Sequence, residues 1–471
     1  MKSDTRMIVL EFNELTPALM QRFMSEGKLP NFARLYEEGQ IYTTTAEEKA
    51  PHLDPWIQWV TVHSGLNFRD HGLERLNEGH TLQTPRVWDV LAGTGRRSWI
   101  CGSMNIAAAR GPEVSVLPDP WTTSLQPSPA ALAPYFAFVQ RQVQEHTSAK
   151  GMPARDEALA FGRFMATHGL SLETIRSIAT QLLEERRGSG RWKRAALLDQ
   201  VQFDVFSWQY RKMQPQFATF FLNSTAHYQH LYWREMDPSA FTVQPTEGQR
   251  RNYRDAIEFG YRQMDRLVGR VFALAGDNTT IVMATALSQQ PCLMFEAHGG
   301  KYFYRPAEWS ALTSWAGVTD RYKASPVMAH QFHLYFDSAE AAERAAQKLL
   351  AIRYQDRQAI AVERNGAGLF VGCRIYELLP GDAQLTIVES DRAIPFSQVF
   401  YKVDGVKSGM HHPDGMLWIR EPGARHAVHP EHVPLASVAP TILDRFGVAR
   451  PSYMWPTVDE WTASEGARAT A

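Results

Sequence analysis

The sequence predicts an α/β protein built on a doubly wound, mostly parallel β-sheet, and three observations predict it. Short apolar runs recur along the chain, as expected for strands that are buried on both faces. Helical patterns separate these runs, and strands alternating with helices are typical of a parallel sheet. The first run ends in a polar turn followed at once by a helix start, and in an open parallel sheet such turns meet the ligand.

The first predicted strand is 7–10, and the polar turn 11–14 follows it. Thr16 then opens a helix with Pro17 in its first turn, where proline's missing N–H group costs nothing. The clearest later helix is predicted over 249–274, because its apolar residues recur on one face. The other buried strands are predicted at 98–101, 217–222 and 280–283.

We expect two insertions in the α/β core. The stretch 126–214 is mostly helical in pattern and is interpreted as a helical insertion or cap. The stretch 322–401 is interpreted as a small α+β subdomain, with a helix capped near Ser338 and a β-hairpin across Asn365 and Gly366. The core segments are then 1–125, 215–321 and 402–460, and 461–471 is expected to be a frayed tail.

Composition argues against several kinds of function. The 471 residues include 49 basic and 50 acidic side chains, so no overall field favours nucleic acid or an anionic membrane. Three distant cysteines indicate a reducing compartment without a disulfide framework. The chain shows no signal-peptide pattern at its start, and no run approaches the ~20 apolar residues that span a bilayer. We therefore expect a cytoplasmic protein whose partner is a small-molecule substrate or ligand.

Five segments carry a resemblance to a known family, and they occur in the family's order. They are 27–35, with the pattern G-x-x-P-N-x-x-x-L; 55–72, with P-W…G…H-G; 223–233; 408–415, with G-x-H; and the closing helix 433–443. Together they resemble the alkaline phosphatase superfamily, in the branch of type I phosphodiesterases and nucleotide pyrophosphatases. The resemblance implies a phosphatase-like sheet, with an active site at the carboxyl ends of its strands that hydrolyses or transfers phosphoryl or sulfuryl groups.

In that superfamily two metal ions clamp the reacting oxygens, and a Ser or Thr takes the group covalently. This sequence departs from the pattern. Glu11 stands where the first-strand Asp is expected, and the nucleophile loop 50–54 has no Ser or Thr. His52 and Asp54 are its candidate nucleophile or base, with simple filling of the loop as an equal alternative. The Asp-His pair expected at 284–290 is missing in every register, so one metal site loses two ligands.

The third segment allows two registers for its metal histidine. Anchoring on its threonine and tryptophan places the histidine at His230 and the expected acid at Ala226. Anchoring on the D-x-x-x-H spacing gives Asn223 and His227 instead. The first register is preferred because two landmarks agree, although neither register supplies an acid. The alternative role of both histidines is to line a helix start.

The fourth segment retains a metal histidine at His411 or His412, with Asp414 beside it. Neutral imidazoles suit zinc, but two histidines and an amide bind poorly beside a closed set of three or four ligands. We therefore predict at most one divalent ion, zinc or manganese. Its predicted ligands are His227, His230 and His411.

The polar residues that remain are expected to gather in one crevice. Its candidate catalytic residues are Glu11, His52 and Asp54. Its candidate ligand-binding residues are Asn13, Trp56, Gln58, Asn223, Gln289 and His412. For Glu11 and nearby Glu14 the alternative is charge at a helix N-terminus, and for tryptophan it is core packing. Such a crevice suits metal-free acid–base chemistry or recognition of a sugar or phosphate.

The leading hypothesis is an enzyme that acts on a phosphate- or sulfate-bearing small molecule, including carbohydrate-like ones, by hydrolysis or group transfer. The competing hypothesis is a non-catalytic or regulatory protein that keeps the fold and binds a related ligand. An intact two-metal phosphodiesterase is disfavoured, because the side chains that it needs are missing. About one tightly bound zinc or manganese ion per chain would favour catalysis.

Overall fold

The structure is a computed structural model that describes residues 5–145, 155–186, 190–326, 331–403 and 405–469. The strands are β1 Arg6–Phe12, β2 Gln40–Thr45, β3 Ser98–Cys101, β4 Val114–Leu117, β5 Phe217–Leu222, β6 Thr279–Ala284, β7 Ser288–Pro291, β8 Tyr304–Pro306, β9 Tyr322–Pro326, β10 Phe332–Phe336, β11 Ile352–Tyr354, β12 Arg357–Gln358, β13 Ile360–Asn365, β14 Gly368–Cys373, β15 Gln384–Ile387, β16 Ala393–Pro395, β17 Phe400–Lys402, β18 Gly409–His412, β19 Asp414–Arg420 and β20 Ala427–Pro434.

The α-helices are α1 Pro17–Ser25, α2 Pro30–Glu37, α3 Pro55–Ser64, α4 Phe68–His71, α5 Val87–Ala92, α6 Ala133–Glu145, α7 Arg155–Thr167, α8 Leu172–Arg186, α9 Arg194–Met213, α10 Ser224–Met236, α11 Glu247–Tyr253, α12 Ala256–Ala275, α13 Trp309–Trp315, α14 Ala339–Leu350, α15 Phe396–Val399, α16 Val438–Arg445 and α17 Val458–Ala469. None of these described helices combines the length and the apolar composition needed to cross a membrane.

The central sheet of the described chain has eight strands in the order β20-β2-β19-β6-β1-β5-β3-β4. Strand β19 is antiparallel to its neighbours β2 and β6, and every other pair in the sheet is parallel. The predicted strands correspond to β1, β3, β5 and β6, which lie side by side and parallel. Their carboxyl ends therefore meet at one edge of the sheet.

Both faces of the sheet are covered by helices. Because side chains alternate along a strand, Ile8 and Leu10 of β1 pack into a core with α1, α2, α9 and α12. Met7 and Val9 pack into the opposite core, with α3, α5 and α16. The predicted doubly wound, mostly parallel α/β fold is therefore confirmed.

The stretch 126–214 is largely helical, but its last helix belongs to the main sheet. Helix α9 packs on β5, and the ring centroids of Phe203 and Phe220 lie 5.4 Å apart. We therefore describe α9 as a layer of the α/β core rather than as part of an insertion. The segments 146–154 and 187–189 of the predicted insertion lie outside the described residues.

A smaller body with its own hydrophobic core follows β7. It has two four-stranded sheets, β13-β14-β10-β9 and β12-β11-β15-β16. Strands β13 and β14 form an antiparallel hairpin across Gly366, and Ser338 Oγ caps α14 by accepting from the Ala341 N–H group at 3.2 Å. The core of this body begins at Tyr304, earlier than the predicted boundary at 322, because the 304–318 region packs against it.

Two predicted elements differ in the structure. The single helix expected over 249–274 is divided into α11 and α12. Of the expected frayed tail 461–471, residues 461–469 are helical and 470–471 lie outside the described residues. Helix α17 begins with a capping box. Thr457 N–H donates to Glu460 Oε2 at 2.8 Å, and Glu460 N–H donates to Thr457 Oγ1 at 3.1 Å.

Removing a core side chain at the carboxyl end of β5 tests the packing of the sheet. Leu222 is 1% exposed, so Leu222→Ala is expected to lower the free energy of unfolding by about 2–5 kcal/mol through cavity formation. Leu378 is 60% exposed, and Leu378→Ala is expected to change it by about 0.5 kcal/mol or less. Urea denaturation of both variants measures the difference. Similar losses in the two variants would contradict the described core.

Candidate active site

The candidate site lies at the edge where the central parallel strands end. Asn13 and Glu14 form the turn after β1, Asn223 precedes α10 at the end of β5, and β7 follows β6. Strand β7 pairs with β18, which brings His411 opposite Gln289. In open α/β sheets this edge is where ligands bind.

Glu14 is the centre of the site. Its backbone has a φ of 60°, which is uncommon for a residue other than glycine and turns the chain sharply after β1. Its Oε2 atom lies 3.0 Å from His230 Nε2 and 3.5 Å from His411 Nε2. The same oxygen accepts from Gln289 Nε2 at 2.5 Å, while Oε1 accepts from Asn13 Nδ2 at 2.8 Å. The carboxylate therefore joins four polar side chains.

His230 has acceptors at both ring nitrogens. Its Nδ1–H group donates to the Gly409 carbonyl at 3.1 Å, because a carbonyl oxygen can only accept. Its Nε2 atom therefore faces the Glu14 carboxylate. In a neutral ring Nε2 carries a lone pair, so the contact requires either a proton or a metal cation at this nitrogen. A carbonyl that fixes the other nitrogen is typical of metal-binding histidines.

His411 has a carboxylate at each ring nitrogen. Its Nε2 atom lies 3.5 Å from Glu14 Oε2, and its Nδ1 atom lies 3.4 Å from Asp54 Oδ1. We refer to Glu14, His230, His411 and Asp54 as the acid–histidine cluster. Its members become more exposed outward, from 2% for the Glu14 side chain to 18% for His411 and 29% for Asp54.

Burial and the neighbouring charges within the cluster shift the pKa values of Glu14, His230 and His411. Burial alone would raise the pKa of Glu14, but His411 and then His230 lower it to about 2. Burial lowers the pKa of His230 and outweighs the opposing effect of Glu14. Burial also acts to lower the pKa of His411, but Glu14 and Asp54 together raise it. The Glu14 carboxylate is therefore charged at neutral pH while its neighbour His230 favours the neutral form.

A kink in α10 lets β18 approach His230. Tyr232 has non-helical backbone angles, with φ at −121° and ψ at 15°, and these mark the kink. The backbone N–H of Ser408 donates to the His230 carbonyl at 2.8 Å, and Ser408 Oγ accepts from Trp233 N–H at 3.0 Å. At Gly409 an added Cβ would collide with the backbone carbonyl of Gln229. The absence of a side chain there permits the contact that orients His230.

The predicted ligand-binding residues Asn13, Asn223 and Gln289 lie at the site, but as supports of Glu14. Trp59 Nε1–H donates to Asn13 Oδ1 at 2.8 Å, and Asn13 Nδ2 donates to Asn223 Oδ1 at 2.7 Å. Gln289 Nε2 also donates to a backbone carbonyl of α10 at 3.0 Å. These bonds fix the direction of the carboxylate, and they occupy the amide donors of Asn13 and Gln289.

Glu11 does not reach the cluster, so its expected role as a catalytic group is contradicted by its position. It follows Met7 and Val9 in the alternation of β1 and therefore points to the face covered by α3. Its side chain is 1% exposed, and its Oε1 atom lies 2.9 Å from His63 Nε2. Glu11 and His63 form a buried pair beneath the site.

The nucleophile loop 50–54 and the start of α3 are held by contacts of His52, Trp56 and Gln58, and these contacts do not involve the cluster. The His52 ring stacks on Phe68 at a centroid distance of 4.7 Å, and its Nδ1 lies 3.9 Å from Glu74 Oε1. Gln58 Nε2 donates to the His52 carbonyl at 3.1 Å, and Trp56 Nε1–H donates to the Glu74 carbonyl at 3.0 Å. The His52 ring therefore contacts Phe68 and Glu74 and no residue of the acid–histidine cluster, which does not support its expected catalytic role.

Two further predicted histidines lie outside the cluster. His227 is one turn before His230 on α10, so the register that selects His230 is the one whose histidine meets His411. The Nδ1 atom of His412 accepts from the Asp414 N–H group at 3.2 Å. His412 thus belongs to a separate polar group at the end of β2, where Thr45 Oγ1 donates to Asp414 Oδ1 at 2.9 Å.

The side chains present fit one divalent metal ion. One ligand atom from each of Glu14, His230 and His411 lies within 4.8 Å of the others. Two imidazoles and a carboxylate form the protein ligand set of many catalytic zinc sites, which keep a further position open. Sequence reasoning missed Glu14 as a ligand, although its place in the turn after β1 was a usable signal. The predicted metal-binding carboxylate was sought on α10 and after β6.

No protein-family model matches the sequence, and no curated protein sequence matches it. Among solved structures, the phosphonoacetate hydrolase of Sinorhizobium meliloti 1021 in complex with phosphonoacetate is similar at a TM-score of 0.43 and 11% identity, over 93% of this chain and 94% of that chain. Human ectonucleotide pyrophosphatase/phosphodiesterase 5 is similar at 0.40 and 8%, over 95% and 96%. The murine protein, as an inactive variant in complex with AMP, is similar at 0.39 and 9%, over 96% of each chain.

The TM-scores of all three structures are below 0.5. The assignment of this chain's fold therefore depends on its own strand order and two covered faces.

Adding one methyl group at Gly409 tests the approach of β18 to α10. Gly409→Ala is expected to destabilise the protein by about 1–3 kcal/mol, because the new Cβ overlaps the Gln229 carbonyl. Gly381→Ala is the matched control, since a Cβ there meets no atom within 4 Å. Thermal unfolding compares the two variants. A Gly409→Ala protein as stable as the control would show that this contact is not tight.

Proposed function

We propose that this chain is an enzyme that hydrolyses or transfers a phosphate- or sulfate-bearing group of a small molecule. The observation that supports it most is the acid–histidine cluster at the carboxyl ends of the central strands. Its ligand atoms lie within 4.8 Å of one another, and the carboxylate of Asp54 lies beside them. The five segments that resemble the alkaline phosphatase superfamily point to the same class of reaction.

The proposed cofactor is one zinc or manganese ion held by Glu14, His230 and His411. His230 is prepared for this role, because the Gly409 carbonyl fixes its Nδ1–H tautomer and leaves Nε2 free to bind. The charged Glu14 balances part of the ion's charge in a buried position. When bound, a divalent ion supplies Lewis-acid polarisation of a phosphoryl or sulfuryl oxygen.

Asp54 is the proposed catalytic base or nucleophile. It stands in the loop where the resembled superfamily keeps its hydroxyl nucleophile, at the N-terminus of α3. Its side chain is 29% exposed, so a substrate can reach it, and its Oδ1 atom lies 3.4 Å from His411 Nδ1. Pro51 and Pro55 restrict the backbone on either side. A carboxylate held in place in this way can act through positioning.

Metal analysis tests the cofactor proposal. Full-length protein loaded with manganese or zinc and then dialysed is expected to keep about one equivalent per chain. Glu14→Gln, His230→Ala and His411→Ala are each expected to weaken binding by more than about 100-fold, because each removes one of three ligands. Elemental analysis and calorimetric titration provide the measurements.

His227→Ala is the matched control, because His227 lies on the same helix and outside the ligand group. Retention of metal by the three ligand variants would disprove the assignment. Two equivalents that are both lost on His411→Ala would show that a second set of ligands was overlooked.

Activity assays test Asp54. With p-nitrophenyl phosphate, bis(p-nitrophenyl) phosphate and p-nitrophenyl sulfate as probes, Asp54→Asn is expected to lower turnover about 100-fold, as for the loss of a general base. Its metal content and melting temperature are expected to stay near those of the wild type. His52→Ala is the control from the same loop and is expected to turn over normally. An equal loss of turnover in both variants would return the catalytic role to the whole loop.

Two observations favour the second candidate function, a non-catalytic protein that binds a related anionic ligand. The loop 50–54 offers no hydroxyl nucleophile, and its Asp54 is paired with His411. This alternative predicts metal binding and ligand binding without turnover of any of the three probes. Turnover that depends on Asp54 excludes it.

A further inference from the structure

Two lysines lie side by side next to the acid–histidine cluster. Lys301 and Lys407 face each other in an isolated antiparallel bridge, in which Lys407 N–H donates to the Lys301 carbonyl at 2.9 Å. The chain then continues from Lys407 through Ser408 to Gly409. Ser408 N–H donates to the His230 carbonyl, and the Gly409 carbonyl accepts from the His230 ring. The backbone that orients a proposed metal ligand therefore also places Lys407.

The charges of these lysines are not neutralised within the described part of the chain. No described carboxylate lies within 4.0 Å of either ammonium group. The nearby Glu296 is occupied by Arg234, whose guanidinium lies 2.5 Å from it. Two half-buried like charges without a carboxylate cost free energy, and a bound anion removes that cost.

The charge of Lys407 affects the pKa values of Lys301 and of the two cluster histidines. Burial lowers the pKa of Lys301, and Lys407 lowers it further. After burial and the carboxylates, Lys407 also acts to lower the pKa of His230 and of His411. Lys407 therefore interacts electrostatically with Lys301 on one side and with the two cluster histidines on the other.

Aromatic rings fix the direction of Lys301. Its Nζ atom lies 4.5 Å from the ring centroid of Tyr376, 5.2 Å from that of Phe295 and 5.4 Å from that of Phe303. Ring faces favour a cation but leave its formal charge in place. Tyr376 comes from the smaller body, which therefore contributes a wall to this region.

We propose that Lys301 and Lys407 form an anion subsite that takes a second anionic group of the substrate. The proposal rests on the proposed function for the position of the reacting group at the acid–histidine cluster. It narrows the substrate class to small molecules that carry a carboxylate, sulfate or phosphate besides the group that reacts. Lysine ammonium groups bind such anions as mobile point charges, so the subsite would accept more than one anion geometry.

Binding of inorganic pyrophosphate and orthophosphate to the full-length protein tests the proposal. Pyrophosphate offers two anionic groups and orthophosphate one. Isothermal titration is expected to show that Lys407→Gln and Lys301→Gln each weaken pyrophosphate binding about tenfold, as for loss of one charge-assisted hydrogen bond. Orthophosphate binding is expected to change much less, and Lys407→Arg is expected to restore most of the pyrophosphate affinity.

Lys402→Gln is the matched control, because Lys402 is an exposed lysine on the preceding strand β17. Unchanged pyrophosphate binding in the Lys407 variant, or an equal loss in the Lys402 control, would overturn the subsite. The melting temperature of each variant separates a loss of binding from a loss of folding. If Lys301→Gln is unstable, the Lys407→Gln variant alone tests the subsite.

The titrations are run on manganese-loaded and on metal-free protein. If the protein takes up no metal, the cofactor assignment is wrong. Pyrophosphate binding by the metal-free protein then still tests the subsite, through the effect of the Lys407 and Lys301 substitutions.

Discussion

The buried carboxylate of Glu14 is the contact on which the candidate site depends. It joins the turn after β1 to α10 through His230 and to β18 through His411, three segments that are far apart in the sequence. A buried charge is tolerated only when it is paired and hydrogen-bonded, and Glu14 has both kinds of partner. Without it, two imidazoles and two amides would lose their common partner. The Glu14 carboxylate thus links three segments of the fold and also lies at the centre of the candidate site.

Much of the fold could be predicted because its signals are local or follow simple periods. Strands buried on both faces give continuous apolar runs, and β1, β5 and β6 lie where such runs predicted them. The antiparallel β19 has no comparable local signal, since its direction depends on which neighbours it meets. The helical tail was missed although Thr457 and Glu460 have the spacing of a capping box.

Only part of the candidate site could be predicted, because the direction of a side chain depends on the local backbone conformation. Motif spacing located His230, His411 and Asp54, but it could not distinguish Glu11 from Glu14 or His52 from Asp54. Strand alternation sends Glu11 beneath the sheet, whereas the positive φ of Glu14 turns its carboxylate into the cluster. Neither orientation can be derived from residue type, because both depend on where β1 ends. A shift of one residue in that end would exchange the roles of the two faces.

The arrangement of charge explains how an anionic substrate could approach this site. Two carboxylates, Glu14 and Asp54, lie close to His411, and alone they would repel a phosphate or sulfate ester. A divalent cation bound by the cluster would offset the charges of these two carboxylates, since such an ion is the largest charge in its surroundings. Lys301 and Lys407 add positive charge beside it that does not depend on the metal. The proposed metal and the proposed lysine subsite are therefore complementary: the ion would attract the reacting group, and the lysines would attract a second anionic group of the substrate.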